Sequence, residues 1–299
     1  MRVPPGFRQA SVSTSLGRMA YYTQAEPFSD RDRPNLVFFH GFGGGSSAYE
    51  WSQVYPAFAT EYPVFAPDLL GWGNSDHPAR DYRVEDYLGT MEEFLEQICP
   101  APAAVIASSL TGAMVIRLAI AHPDRVRCLV LVSPSGLSDF GVDYRRSFFA
   151  QLVSLPFLDR LIYGAGVASV AGIRNFLEQR QFAHPERISP ELVDAYFTSA
   201  QQPNAEYAAL AFVRGDLCFD LAEYFPQLAK PTAILWGRQS QFTPPDLGQR
   251  LAALNPSAVR SFHIIEDCGL TPQLELPAVT IALVQRVLRQ CLGTNENGS

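Results

Sequence analysis

The chain carries little charge and almost no lysine. Of its 299 residues only 18% are Asp, Glu, Lys or Arg, against about 25% in an average soluble domain. Lys230 is the only lysine, and the formal net charge is −7. A nucleic-acid-binding protein normally has a basic surface or a basic stripe. Neither is present here, which excludes that class of partner.

Cysteine and histidine are too scattered to build a metal or disulfide framework. No cysteine pair has the Cys-x-x-Cys spacing, and no two histidines fall at ligand spacing. We therefore expect reduced structural thiols, no metal, no cofactor and a cytoplasmic location. The five cysteines are Cys99, Cys128, Cys218, Cys268 and Cys291.

Long uninterrupted apolar runs are also missing. The first residues lack the apolar segment of a signal peptide. The most apolar long stretch, 152–173, contains Pro156, Asp159 and Arg160 and is a poor candidate for a membrane span. It predicts a helix over an apolar pocket, with contact at a membrane surface as the alternative. The polar tail at 293–299 is predicted to be disordered.

The most prominent pattern in the sequence is a series of short apolar segments. Residues 7–25 alternate polar and apolar side chains around Gly17, which predicts an antiparallel hairpin. Later apolar runs without alternation predict strands buried on both faces, and helical patterns lie between most of them. This order predicts an α/β fold with a mostly parallel sheet covered by helices on both faces. The apolar runs are 35–39, 64–66, 103–107, 128–132, 232–236 and 259–265, and the helical patterns are 47–59, 84–98, 110–121, 245–254 and 277–291.

One long segment interrupts this alternation. Residues 137–228 have helical periodicity, several prolines and no strong strand pattern. We predict a helical cap inserted into a core made of 1–136 and 229–292. Apolar cap side chains favour a lipid-, pigment- or terpenoid-like ligand, although ordinary core packing explains them equally well. These side chains are Phe148, Phe149, Phe157, Leu161 and Tyr163.

Loops after the strands carry the candidate chemistry, because ligands bind at the carboxyl ends of parallel strands. The glycine-rich turn 40–46 points backbone N–H groups outward, which suits an anion or oxyanion; a tight turn without a ligand is the alternative. Ser46 stands where a dinucleotide fingerprint needs its third glycine, and no Gly-Lys-Ser/Thr follows. The loop 68–76 is predicted to be structural, with Trp72 a candidate pocket wall.

A serine between strand and helix is the candidate nucleophile. Ser109 has Ala107 two residues before it and Thr111 two residues after it, which approaches the small neighbours of a nucleophile elbow. Ser108 would have the bulkier Ile106 and Leu110 at those places. A serine that only caps the helix remains the alternative.

In combination, these motifs resemble the α/β-hydrolase superfamily, specifically its capped esterase- and lipase-like branch, over residues 7–291. The residues that carry the resemblance are His40-Gly-Phe-Gly, Asp68-x-x-Gly-x-Gly-x-Ser75 and the Ser109 turn. The resemblance implies that Ser109 attacks an acyl carbon. It also implies that the backbone N–H groups of Phe42 and Leu110 form an oxyanion hole.

The resemblance fails at the two remaining triad positions. The family's acid follows Trp-Gly, but here Trp236-Gly237 leads to Ser240 at the acid's place. The family's histidine follows Cys-Gly, but here Leu270 follows Cys268-Gly269. Leucine cannot accept the serine proton, and without a base a serine hydroxyl is a weak nucleophile.

Two functions are therefore compatible with the sequence, and whether the chain is an enzyme stays open. The favoured one is a non-classical or catalytically degenerate member that binds an apolar small molecule. The other is an active serine hydrolase or acyltransferase on an ester or thioester, using an unorthodox base. Among the histidines, His77 and His184 are the candidate replacement bases.

Overall fold

The computed structural model describes residues 3–30, 33–146 and 163–292. The predicted disordered tail and the cap residues Phe148, Phe149, Phe157 and Leu161 lie outside these ranges.

A single eight-stranded sheet organises the described chain. Its strand order is β1-β2-β4-β3-β5-β6-β7-β8, with β1 and β2 antiparallel to each other, β2 antiparallel to β4, and the other pairs parallel. The predicted hairpin and mostly parallel sheet are thus confirmed. The strands are β1 Phe7–Thr14, β2 Gly17–Gln24, β3 Leu36–Phe39, β4 Val64–Pro67, β5 Ala103–Ser108, β6 Val126–Val132, β7 Thr232–Gly237 and β8 Val259–Ile265.

Helices cover both faces of this sheet. The buried side chains of α1 recur at three- and four-residue intervals, so one stripe faces the core. In contrast, α2 is buried almost all round, and it packs against β5, β6 and α1. The core α-helices are α1 Val84–Ile98, α2 Ser109–Ala121, α6 Pro245–Ala253, α7 Pro272–Glu275 and α8 Pro277–Leu292.

The helical pattern at 47–59 does not form one α-helix, so that prediction was wrong. The segment makes two short 3-10 helices, Ala48–Trp51 and Tyr55–Phe58. Tertiary contacts fix the first turn, because Ala48 N–H donates to Asp68 Oδ1 (2.7 Å) and Trp51 Nε1 donates to Phe39 O (2.9 Å). Pro56 has no N–H to continue an α-helical ladder.

The described residues between β6 and β7 contain helices and no strand. We call 133–146 and 163–231 the insertion. Its α-helices are α3 Val170–Phe176, α4 Pro190–Ala200 and α5 Ala205–Arg214. An isolated parallel bridge joins Leu137 to Phe219, which brings the two ends of the insertion together.

The buried carboxyl of Asp68 predicts a pH-dependent stability. It accepts N–H bonds from Ala48 (2.7 Å) and Asn74 (2.8 Å), but burial outweighs these bonds and raises its pKa to about 6. An unfolded chain releases this proton near pH 4, so the native state binds it more tightly between pH 4 and 6. The stabilisation from this group is complete below pH 4 and is lost as the pH rises through 6.

We expect Asp68→Asn to flatten this part of the stability profile. Two pKa units correspond to about 3 kcal/mol at most. Urea unfolding at pH 4, 5, 6 and 7 measures the slope for both proteins. An identical slope in the variant would show that Asp68 titrates normally in the native state.

Candidate active site

Ser109 has the backbone strain of a nucleophile elbow. It lies directly after β5 and begins α2, with a φ of 55°, in the left-handed region that non-glycine residues avoid. Its neighbour Ser108 has an extended backbone with φ −120° and is buried. Ser109 is partly exposed. Of the two serines, the one chosen from the sequence therefore has the strained and accessible position.

The glycine loop, His40–Ser46, lies against this elbow. A Cβ added to Gly41 would be 3.2 Å from Ser108 Oγ and 3.4 Å from Ser109 Cβ, so any larger residue here would crowd the elbow. Among the described residues, the backbone N–H groups of Phe42 and Leu110 have no hydrogen-bond acceptor. Leu110 follows the elbow serine in the chain, and Phe42 follows Gly41, whose backbone lies against it.

His40 braces this loop as a neutral ring. Its Nε2 accepts from Leu69 N–H (2.9 Å), so Nδ1 carries the proton and donates to Gly41 O (2.7 Å). Complete burial lowers the pKa of His40 to about 4. The ring therefore holds the backbone in place and has no free nitrogen for proton transfer.

An aromatic cluster packs behind the glycine loop. The ring of Phe42 lies 5.3 Å from Trp72, 4.9 Å from Tyr87 and 6.0 Å from Phe212 of α5. Trp72 Nε1 donates to Tyr87 Oη (3.0 Å), and Trp72 is buried. The predicted pocket wall is thus a support for Phe42. Tyr163, the described member of the predicted apolar stripe, is likewise buried, with its hydroxyl bonded to Ala200 O (2.7 Å).

Ser240 and Leu270 lie in adjacent loops at the edge of the sheet where Ser109 lies. The Ser240 loop, 238–243, follows β7, and the Leu270 loop, 268–271, follows β8. Their contact is so close that a Cβ on Gly237 would be 1.8 Å from Gly269 O. The loop after β6 joins them to the elbow, because Ser133 Oγ donates to Leu270 O (3.4 Å) and Ser135 N–H donates to Ser109 O (3.4 Å). Both Ser240 and Leu270 are buried.

The insertion closes directly over these loops. Leu270 N–H donates to Gln181 O (2.7 Å), and a Cβ on Gly269 would lie 2.3 Å from the same oxygen. A Cβ on Gly45 would lie 2.0 Å from Tyr196 O of α4. Both the glycine loop and the Leu270 loop therefore need glycine where the insertion backbone touches them.

Glu275 holds the insertion against the Leu270 loop through hydrogen bonds to both. Its carboxylate accepts N–H bonds from Gly269 (2.7 Å), Ala183 (3.0 Å) and His184 (2.9 Å). Arg187 Nη1 adds an ion pair at 3.3 Å. The Glu275 side chain is fully buried, so these donors have no water to replace it.

Neither candidate replacement histidine has a hydrogen bond to Ser109 among the described residues. The ring of His184 pairs through Nδ1 with the exposed carboxylate of Glu186 (3.1 Å). His77 lines a surface cavity of about 540 Å³ beside Arg18 and Asn204. Burial lowers the pKa of His77, which keeps its ring neutral.

The remaining histidines have other surroundings. His122 ends α2 with its Nδ1 2.8 Å from Glu92 Oε1, and His263 lies within β8. In the described part of the chain, no cluster of three His, Cys, Asp or Glu side chains could hold a metal ion. No described helix has the length and apolar character needed to cross a bilayer.

Glu50 is a site residue that the sequence reasoning missed. It is 2% exposed, and its Oε2 accepts Gly41 N–H (2.9 Å) while its Oε1 accepts the Tyr196 hydroxyl (3.0 Å). The helix α7 packs against the short helix that carries Glu50. The available signal was a carboxylate between two aromatic residues, Tyr49 and Trp51, in a segment otherwise suited to burial.

Comparison with known proteins agrees with this architecture. The chain is 29% identical over 266 residues to 2-hydroxymuconate semialdehyde hydrolase of a Pseudomonas species, covering 83% of this chain and 84% of that one. It is 26% identical over 262 residues to an uncharacterised protein of Mycobacterium tuberculosis, covering 85% and 75%.

Solved structures share the fold at lower identity. Cfl2 from Burkholderia cenocepacia superposes with a TM-score of 0.77 at 23% identity, covering 95% of this chain and 98% of that one. A thermophilic esterase from Thermogutta terrifontis gives 0.73 at 18% identity, covering 95% and 99%. Residues 34–276 match the family model described as the alpha/beta hydrolase fold. The chain therefore belongs to the α/β-hydrolase family.

Proposed function

We propose that this chain is a non-classical serine enzyme of its family, which acts on apolar carboxylic esters or thioesters through Ser109 without a histidine base. The backbone of Ser109 carries the proposal. A φ of 55° at a serine costs energy and persists only where the surrounding structure imposes it, and such strain gathers at functional sites. The free N–H groups of Phe42 and Leu110 support an oxyanion hole at the same place.

The substrate class follows from the surroundings of the serine. Leu110 follows Ser109 directly and is buried, and Leu270 places a buried apolar side chain where the family has its imidazole. The curated relatives include a hydrolase of 2-hydroxymuconate semialdehyde, so carbonyl substrates are handled by similar chains. A cap formed by the insertion would enclose such a substrate.

The second candidate function is binding without catalysis. It is favoured by the Leu270 loop, in which an apolar, buried side chain replaces the base and the backbone is closed by Gln181. In another triad enzyme, removing the base costs about 10⁶ in turnover, while about 10³–10⁴ over water remains from the oxyanion hole and binding. Slow reaction at Ser109 would therefore support the serine enzyme, and no reaction would support binding without catalysis.

Labelling with a fluorophosphonate tests the proposal. The reagent phosphonylates an activated serine, and we expect slow but stoichiometric labelling over hours, with the adduct located at Ser109 by peptide mass spectrometry. Ser109→Ala should abolish the adduct. Ser108→Ala is the matched control, since it removes a hydroxyl from the neighbouring buried position and should leave labelling unchanged.

The opposite result is equally informative. If the folded protein, shown by a cooperative thermal transition, acquires no adduct at Ser109, then serine catalysis is wrong and binding without catalysis is the function.

A further inference from the structure

We propose that Glu50 is the proton acceptor for Ser109, in place of the missing histidine. This inference rests on the proposed function and identifies the base that the function lacks. It follows from where the Glu50 carboxyl lies, which segments hold it, and what its burial does to its chemistry.

Glu50 and Ser109 border the same point of the site. A Cβ atom added to Gly41 would lie 3.4 Å from Ser109 Cβ and 3.5 Å from Glu50 Oε2. Both groups therefore flank Gly41 Cα on the side where a side chain would point. A single water between them would carry the serine proton to the carboxylate, which is one of the arrangements that a general base uses.

Three segments of the site converge on this carboxyl. Gly41 N–H comes from the glycine loop and the Tyr196 hydroxyl from α4 of the insertion. The helix α7, which begins two residues beyond Leu270, packs against the short helix that carries Glu50. Glu50 therefore lies between the elbow and the segment that carries the histidine in the family pattern. Its hydrogen bonds hold the carboxyl in one orientation, as an acid–base group requires.

Burial makes this carboxylate a stronger base. Desolvation raises the pKa of Glu50, while the bonds from Gly41 N–H and the Tyr196 hydroxyl oppose that rise. A carboxylate of ordinary pKa is too weak a base for a serine hydroxyl, and a raised pKa increases its basicity.

Other titratable groups on the elements around Glu50 are Tyr196, His40, Asp68 and Glu275. Tyr196 stays protonated, because burial raises its pKa well above the ordinary range. His40 and Asp68 brace the glycine loop and its neighbour, with pKa values of about 4 and about 6. Glu275 lies on α7, bonded to the insertion.

The proposed step balances in protons and electrons. Ser109 Oγ attacks the acyl carbon while its proton passes to the Glu50 carboxylate, and the carbonyl electron pair moves to the oxygen facing Phe42 and Leu110 N–H. Collapse of this intermediate breaks the bond to the leaving alcohol or thiol, which takes the proton back from Glu50. Water then attacks the acyl-serine, again giving its proton to Glu50. Collapse of this second intermediate breaks the bond between the acyl carbon and Ser109 Oγ, which takes the proton back from Glu50, and the carboxylic acid leaves.

The pH profile of fluorophosphonate labelling tests this role. In the unmodified protein we expect the rate at Ser109 to rise with pH through one ionisation above the ordinary carboxyl range. Glu50→Gln keeps the shape, with its amide oxygen able to accept Gly41 N–H and its amide nitrogen able to donate to the Tyr196 hydroxyl. It should lower the rate at pH 8 about 10²-fold and remove the rise, since general-base assistance contributes about 10²–10⁴-fold.

Tyr196→Phe distinguishes a base from a purely structural residue. It removes one bond that stabilises the charged carboxylate, so the midpoint of the profile should move to higher pH while the rise remains. His184→Gln and His77→Gln should leave the profile unchanged. Circular dichroism and thermal unfolding confirm that each variant is folded.

Every outcome decides one of the proposals. Labelling at Ser109 that is unchanged in Glu50→Gln would overturn the role of Glu50 and leave the serine function standing. If His77→Gln or His184→Gln removed the pH-dependent rise and Glu50→Gln did not, the role of Glu50 would be wrong and that histidine would be the base. No labelling at Ser109 in the folded protein overturns both.

Discussion

Restoring the triad by Leu270→His together with Ser240→Asp is expected to accelerate phosphonylation of Ser109 by about 10²–10⁴-fold, the usual contribution of a general base. The two loops are in contact at Gly237 and Gly269, so the new imidazole and carboxylate would be neighbours. The Leu270 loop is also tied to the elbow through Ser133 and Ser135. The rate constant of fluorophosphonate labelling at pH 8 measures the gain.

The matched control for this gain is Leu270→Gln. Glutamine is polar and close to histidine in size, but it is not a base, so it should not accelerate labelling. In the restored triad, a further Glu50→Gln substitution should have little effect, because the imidazole then accepts the proton. A folded double variant that labels no faster than the parent would show that Ser109 Oγ does not face position 270.

Replacing Glu275 by alanine is expected to cost about 3–5 kcal/mol of unfolding free energy. The substitution leaves the buried N–H of Gly269 and the half-buried N–H groups of Ala183 and His184 without an acceptor, and a fully buried group of this kind costs about 1–3 kcal/mol. Arg187 loses a buried partner as well. Urea unfolding monitored by tryptophan fluorescence measures the loss as a lower midpoint.

Glu266→Ala is the control for this loss. Glu266 also pairs with an arginine, Arg238 at 2.8 Å, but both side chains are largely exposed. An exposed ion pair contributes about 0–1 kcal/mol, so this variant should unfold close to the parent. Equal losses in the two variants would refute the role of Glu275 as a pin between the insertion and the Leu270 loop.

Much of the fold could be read from local patterns. The helix predicted at 84–98 and the strand at 259–265 have those bounds in the structure. Both depend on periodic burial within one segment, which a sequence displays directly. The error at 47–59 arose because Asp68 and Phe39, both distant in sequence, bind the first turn of that segment.

The candidate site, like the fold, could be predicted only where its residues belong to local sequence motifs. Ser109 and the positions of Ser240 and Leu270 were identified from sequence, since each follows a strand within a short motif. Glu50 and Glu275 were not, because neither belongs to a motif. The role of each depends on hydrogen-bond partners far along the chain, such as Tyr196 for Glu50 and Ala183 for Glu275.

Local sequence was sufficient for the α/β-hydrolase fold, for a serine directly after a strand at position 109 and for the absence of histidine at position 270. These depend on residue identity and on spacing within single segments. Folding was needed to show that the Glu50 carboxyl binds the glycine loop and that the Glu275 carboxyl holds the insertion against the Leu270 loop. A carboxylate's proton affinity and its bonding partners depend on burial and on groups brought together by folding, which local sequence does not specify.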